Sequence, residues 1–338
     1  MRGLRILSIS PTASIQDRGR QGLLRFGVSP GGAMDAYALA EGQALLGNAA
    51  DDAALEMAGH GGSFRAEGEV WVSLTGAPMQ ASLNGRVVEW RQSLHLRDGD
   101  TLRIGATVMG VYGYLHVAGG FQTEVVLNAR STHVRAGFGH LPKAGDLLPA
   151  GLVPPKPVPL ALPRPEYFDQ RQIRAIWGPQ SHLFDDAERS RFAAAQFGVS
   201  DKRDRMGMQI IPDYPPFHGD SGLSIASDAT LPGDIQIIGN GTPAVLLADR
   251  GPTGGYPRIA TVITADIAAL AQISSGERFA ISIVDRQEAV GALLEYRRTI
   301  GALPGMAEPV LRDPRDMADL LSYNLIDGAI TGENDEQN

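Results

Sequence analysis

The chain has no cysteine in its 338 residues, which removes disulfides, thiol nucleophiles and thiolate metal sites. Lysine is nearly absent as well: Lys143, Lys156 and Lys202 stand against 27 arginines among 30 basic residues. Scattered arginines fit a G+C-rich coding sequence. Arginines gathered in loops fit anion recognition, because a guanidinium grips carboxylate or phosphate with a bidentate fork. No apolar run is long enough to cross a membrane. The opening MRGLRILSIS has a charged start but no long apolar core, so it reads as a first strand and not a signal peptide, and a cytoplasmic location is expected. There is no Gly-Lys-Ser/Thr phosphate loop and no Met-Lys-Met biotin-attachment sequence. ATP is thus not held by that loop here, and any biotin must arrive on another chain. His60, His95, His116, His133, His140, His182 and His218 show no His-x-x-x-His spacing, so no metal site is expected. A net charge of −8 argues against non-specific binding to nucleic acid or anionic membrane.

What is present describes a globular, strand-rich protein. Hydrophobic residues make up 43% and charged residues 20% of a chain long enough for two domains. Pro149–Pro165 carries seven prolines and should run extended. It divides a β domain at 1–150 from a second at 166–302, with 151–165 as linker and 303–338 as a C-terminal extension. LRDGDTLRI (Leu96–Ile104) and ISSGERFAI (Ile273–Ile281) hint that the halves are related. Val70, Val72 and Leu74 alternate as in a strand, and Asn84-Gly85 and Asp98-Gly99 both signal hairpins. Helices are expected over 33–46, with Gly47 as its C-cap, and over 185–196, 264–271 and 285–300. Thr264 is the expected cap of the third, and Val290, Leu293 and Leu294 the inward face of the fourth. After Asp313, Met317, Leu320, Leu321 and Leu325 form an apolar stripe followed by an acidic tail expected to be disordered.

The densest chemistry lies between Asp234 and Ile283. Two apolar runs joined by Gly239-Asn240-Gly241-Thr242-Pro243 end in Asp249-Arg250 and then the loop GPTGGYP. Glycine and proline let that backbone approach a ligand closely, and Thr253 and Tyr256 add a hydroxyl and a ring. A plain hairpin with a rigid connection would carry the same pattern. Further loops bring Asp17, Arg18 and Arg20, then Arg130, Ser131 and Thr132, then Asp204 and Arg205. Brought together, the arginines could hold a carboxylate or oxyanion, and an Asp could orient water or take a proton. The same Asp-Arg neighbours would serve equally as structural ion pairs. Two other motifs carry little. His218-Gly219-Asp220-Ser221-Gly222 lacks the partners of a serine-protease nucleophile. Gly239–Ala244 leads into a strand where a dinucleotide site needs a helix.

The ordered blocks QDRGRQG (Gln16–Gly22), GAMD (Gly32–Asp35), LTGA (Leu74–Ala77), ARST (Ala129–Thr132), DRMG (Asp204–Gly207) and TGGYP (Thr253–Pro257) are jointly specific. Over roughly residues 5 to 300 they resemble the allophanate hydrolase subunit 2 family. That family includes the C subunit of prokaryotic 5-oxoprolinase and the corresponding carboxyltransferase region of urea carboxylase. Arg18 stands where the family usually has a small or apolar residue, and Gly251-Pro252 where it usually has Gln-Thr. The resemblance implies tandem cyclophilin-like β-barrels. It also implies work with a B subunit of related fold and an unrelated A subunit, in a complex that uses ATP to open 5-oxoproline to glutamate. The expected catalytic residues are Asp249, Arg250 and Arg205; the expected substrate contacts are Asp17, Arg20, Arg130, Ser131, Thr253, Gly254, Gly255 and Tyr256. Two alternatives stand: a carboxyltransferase receiving carboxybiotin from a carrier protein, and a non-catalytic regulator that binds a kinase inhibitor.

Overall fold

A computed structural model describes residues 2–152, 158–218 and 223–310. The chain is mainly β, with four α-helices among the described residues. Strands of the first half build two antiparallel sheets. One has six strands in the order Leu147–Pro149, Gly3–Ile9, His60–Glu67, Thr101–Thr107, Met79–Leu83, Arg86–Val87. The other has five, in the order Ser14–Gln16, Ala54–Ala58, Tyr112–Val117, Val70–Gly76, Ser93–Leu96. Alternation drives the pairing of the sheets: Leu102 and Ile104 point inward while Arg103 is exposed. Leu4, Ile6 and Phe64 of the first sheet pack there with Leu55, Val72, Leu74 and Leu115 of the second.

In the second half seven strands close into a barrel: Gln172–Trp177, Arg258–Val262, Asp234–Ile237, Pro243–Leu246, Gly207–Pro212, Gln196–Arg203 and Arg278–Ile283. The first and last run parallel and the other neighbours antiparallel. Closure leaves no free sheet edge, and Ile173, Phe197, Ile210, Ile235, Val245 and Phe279 form the barrel core. The same cluster continues through Met34, Ala38, Leu39, Tyr112 and Tyr114 of the first half, so one apolar core runs across both.

The helices are α1 (Ala36–Leu46), α2 (Asp186–Ala194), α3 (Ile267–Gln272) and α4 (Arg286–Met306). Helix α1 ends as expected at Gly47, left-handed with φ 69°, and starts at Asp35, whose side chain accepts from Ala38 N. Asp185 and Asp285 likewise cap α2 and α4. Three expectations need correction. Thr264 caps nothing; it opens a 3-10 turn over Thr264–Asp266 that leads into α3. Val290 and Leu294 of α4 are exposed; the helix turns Leu303 into the body, with Tyr296 and Ile300 against the same cluster. Asp98-Gly99 is not a hairpin turn, because its flanking strands belong to different sheets. Gly99 N bonds Ala66 O and Asp98 accepts from Gly68 N, so neighbouring chain outside the two flanking strands fixes the crossing. By contrast, Asn84 and Gly85, both at positive φ, make the expected two-residue hairpin with Leu83 opposite Arg86. The apolar stripe after Asp313, the acidic tail and the Gly219–Gly222 part of the protease-like motif lie outside the described residues.

Candidate functional site

Strand Pro243–Leu246 delivers Asp249 and Arg250 to the barrel rim, where the backbone turns back through an Arg250 N to Leu247 O bond. The glycine-rich loop that follows is pinned at both ends. Thr253–Gly254 pairs with Asp228–Ala229, and Thr230 Oγ1 donates to Gly251 O at 2.6 Å. Arg258, bonded to Asp228 and Asp234, holds that support in place. Gly254 packs closely: a Cβ there would lie 2.4 Å from Gln236 Nε2 and displace that side chain.

This rim walls a cavity of about 580 Å³. Asp249, Arg250, Thr253, Gly254, Gly255 and Tyr256 line it from the barrel, and Gly251 and Pro252, where the chain departs from its family pattern, lie in the same wall. The opposite lining comes from the first half: Gly27, Val28, Ser29, His133, Arg135, Ala136 and Phe138. Ser29 joins the halves by donating to Arg250 O. Most of such a wall is apolar, and few polar groups set the ligand's identity.

Two of those groups are in contrasting states. Arg205 donates to both Asp249 oxygens at 2.9 Å, to Gly32 O at 2.6 Å and to Glu56 Oε1. Burial opposes its charge, but Glu56 and Asp249 outweigh it and hold the guanidinium above its ordinary range. Asp249 is therefore a satisfied carboxylate. Arg250 is not satisfied. It is 2% exposed; Nη2 reaches Thr230 O at 3.1 Å, while Nε and Nη1 have no hydrogen-bond partner. Burial pulls its basicity down against the attraction of Asp234. A buried guanidinium with two free N–H directions costs several kcal/mol unless an anion completes it. Arg20 resembles it: 1% exposed, stacked 5.1 Å over the Phe138 ring, with Nη1 and Nη2 unpartnered.

The expected site residues therefore fall into groups. Arg205 does not line the cavity; it stands behind Asp249 and fixes it. Asp17, Arg130 and Ser131 form a separate buried knot. Asp17 accepts from Gly19 N at 2.8 Å, Arg130 N at 2.6 Å and Ser131 Oγ. The Arg130 guanidinium is spent on Thr123 O and Gln122 Oε1. This knot anchors the loop that carries His133 and Phe138; it is the structural use of the same residue types. Arg20 reaches the site through its stacking on Phe138 and through the attraction of Asp249. Arg18 is largely exposed, 3.8 Å from Asp51. Sequence reasoning passed over Ser29, His133 and Phe138. Nothing at Ser29 signals function locally, since its partner lies 221 residues away.

Among the described residues no group of three or more metal-ligating side chains gathers, and no helix is long and apolar enough to cross a membrane.

Comparison with known proteins places this architecture. The family model described as carboxyltransferase domain, subdomain A and B, matches residues 26–282. The chain is 33% identical over 299 residues to the 5-oxoprolinase C subunit of Escherichia coli, covering 87% of this chain and 96% of that protein. The protein of the same name from Haemophilus influenzae is also 33% identical, over 300 residues. Urea amidolyase of Lachancea kluyveri matches at 27% identity over 78% of this chain but only 16% of its own length. Among solved structures, the urea amidolyase of K. lactis superposes with a TM-score of 0.78 at 21% identity, over 92% of this chain and 21% of that one. The chain belongs to the carboxyltransferase domain family, as do its 33% identical relatives, the 5-oxoprolinase C subunits.

Proposed function

We propose that the chain is the C subunit of an ATP-dependent 5-oxoprolinase, working with a B subunit of related fold and an unrelated A subunit. The carrying observation is the incomplete guanidinium of Arg250 at the cavity wall. 5-Oxoproline is a small ring bearing one carboxylate, and a carboxylate supplies the acceptors that Nε and Nη1 lack; both atoms are sealed from solvent here, so on this reading the rim loop moves aside when the ligand binds. In this reading Arg250 binds the carboxylate, the loop Thr253–Tyr256 covers the ring, and Asp249, held by Arg205, orients the attacking water. The lactam oxygen takes the terminal phosphoryl group of ATP and ADP leaves; water oxygen then bonds to that carbon, the C–N bond breaks with the nitrogen leaving as the amine of glutamate, and phosphate is released.

The chain has no Gly-Lys-Ser/Thr phosphate loop. Among the described residues, the helix that follows a glycine pair, α1, has its N-terminus filled by the Asp35 carboxylate, and Tyr114 Oη accepts from Asp35 N. A phosphate would meet like charge there. The nucleotide is therefore assigned to a partner chain. The test is reconstitution with both partners. ATP hydrolysis should require 5-oxoproline and all three chains, and 5-oxoproline-independent turnover, or turnover by this chain alone, would refute the assignment. The alternative is a carboxyltransferase that accepts carboxybiotin from a carrier protein, and the matching family model favours it. Decarboxylation of carboxybiotin stimulated by urea but not by 5-oxoproline would select that reading.

A further inference from the structure

We propose that His133 is the hydrogen-bond donor that recognises the lactam carbonyl of the substrate. The inference rests on the functional reading above and names a residue that reading does not use. His133 lines the same cavity as Arg250 and Asp249 and is 6% exposed. Its backbone is locked by paired bonds with Phe138, N to O at 2.9 Å and O from N at 3.2 Å, and Gly137 closes the turn at φ 68°. Beneath it, Thr132 Oγ1 donates to His140 O and Ser131 Oγ donates to Asp17. The ring thus stands on a rigid support, as a recognition group should.

The protonation pattern of the ring follows from its contacts. Nδ1 accepts from Ala136 N at 3.4 Å, which leaves Nε2 as the ring nitrogen able to donate to a ligand. Nε2 has no protein partner among the described residues. Gly31 lies between the His133 ring and Asp249. A Cβ on Gly31 would sit 3.8 Å from His133 Cδ2 and 3.4 Å from Asp249 Oδ1. Gly31, at φ 63°, keeps the gap between the two side chains clear. The cavity wall therefore carries two guanidinium residues, Arg250 and Arg135, one satisfied carboxylate, and the His133 imidazole on the side opposite the barrel rim. A lactam carboxylate needs a cation and a directional donor together: the first for its carboxylate, the second for its carbonyl oxygen. A donor aimed at that oxygen also polarises the carbonyl toward attack by water.

Two variants separate recognition from capping. His133→Gln places an amide N–H near the Nε2 position and loses the Nδ1 acceptor. His133→Asn keeps an acceptor near Nδ1 for Ala136 N and loses the far donor. The full chain in complex with its B and A partners, without ATP, is titrated calorimetrically with 5-oxo-L-proline and with cyclopentanecarboxylate, which has the same ring size and carboxylate but no lactam. The wild type should prefer the lactam about tenfold, the worth of one buried hydrogen bond. H133Q should keep that preference, and H133N should bind the two ligands about equally. Preference kept in H133N and lost in H133Q would overturn the proposal and leave His133 as a cap. A wild type that binds both ligands equally would also overturn it while leaving Arg250 as the carboxylate site. A wild type that binds neither would overturn the functional reading, and this proposal with it.

Discussion

Arg205 and Arg250 lie 45 positions apart and both are screened from solvent, yet replacing each by methionine should have opposite consequences. Arg205 stands between Glu56 and Asp249, whose side chains are 2% and 7% exposed. Methionine there leaves two buried carboxylates without their cation. Breaking a buried pair from one side costs about 3–5 kcal/mol, a large share of the ~5–15 kcal/mol that holds a domain folded. At Arg250 methionine removes a single bond, Nη2 to Thr230 O, together with a buried charge whose Nε and Nη1 are unpartnered. The lost bond, about 1.5–3 kcal/mol for a charged donor, is offset by relief of a desolvation cost of similar or greater size. R250M should therefore match wild-type stability within about 1 kcal/mol, or exceed it, while affinity for 5-oxoproline falls about 10- to 150-fold. Urea denaturation at neutral pH, followed by tryptophan fluorescence, gives the stabilities, and calorimetry gives the affinity. If R250M loses as much stability as R205M, Arg250 is a structural cation, and the argument that its free N–H groups await a ligand is refuted.

Other perturbations test the frame around the site. Burial drives His116 down to about 3 from 6.5, with Thr75 Oγ1 against its Nε2. The unfolded chain therefore takes up this proton first as pH falls. The stability His116 contributes is present above pH 6.5 and is lost as pH falls from there toward 3, by about 1.4 kcal/mol per pH unit. H116Q should flatten that part of the urea-midpoint profile, and a profile identical to wild type would contradict the assignment. Gly42→Ala should destabilise by more than about 2 kcal/mol, since its Cβ would lie 2.2 Å from the His116 ring. Gly291→Ala, on α4 with nothing within 4 Å of the new Cβ, should stabilise by about 0.4–1 kcal/mol. Thermal melts of the two alanine variants decide both.

Elements whose conformation is set within a few residues could be read from the sequence. Asn84-Gly85 needs only its own positive φ angles, and the Asp185 and Asp285 caps only the amide three residues on. Asp98-Gly99 carries the same local signal, but the strands around it find partners in different sheets, a choice made by Ala66 and Gly68 some thirty residues away. The apolar positions of α4 had the same weakness. Periodicity identifies a stripe, but only packing decides that Leu303 enters the body while Leu294 stays in solvent. The Asp249–Tyr256 loop was legible because glycine, proline, charge and hydroxyl coincide in one short span. Asp17, Arg130 and Ser131 have the same chemistry and were grouped with the site, yet their hydrogen bonds close on one another. In the sequence His133 lacks metal spacing and reads as a polar contact or surface residue. A single imidazole whose one nitrogen is taken by the next turn leaves no sequence trace of where the other points.

The cavity belongs to neither half alone. Its lining runs from Gly27–Ser29 and His133–Phe138 to the barrel rim, so its shape depends on how the halves meet. Polar bonds fix that meeting as tightly as the shared apolar core. Arg205 of the barrel reaches Glu56 and Gly32. Gln272 of α3 accepts from Val111 N and Tyr112 N at 2.9 Å and donates to Asp35, which also accepts from Tyr167 Oη at 2.6 Å. Buried polar groups satisfied in only one arrangement penalise every other register. The seam thus positions His133 from one half relative to Arg250 from the other. On the proposed reading, that spacing is what sets a lactam carbonyl and its carboxylate at the two ends of one small ring.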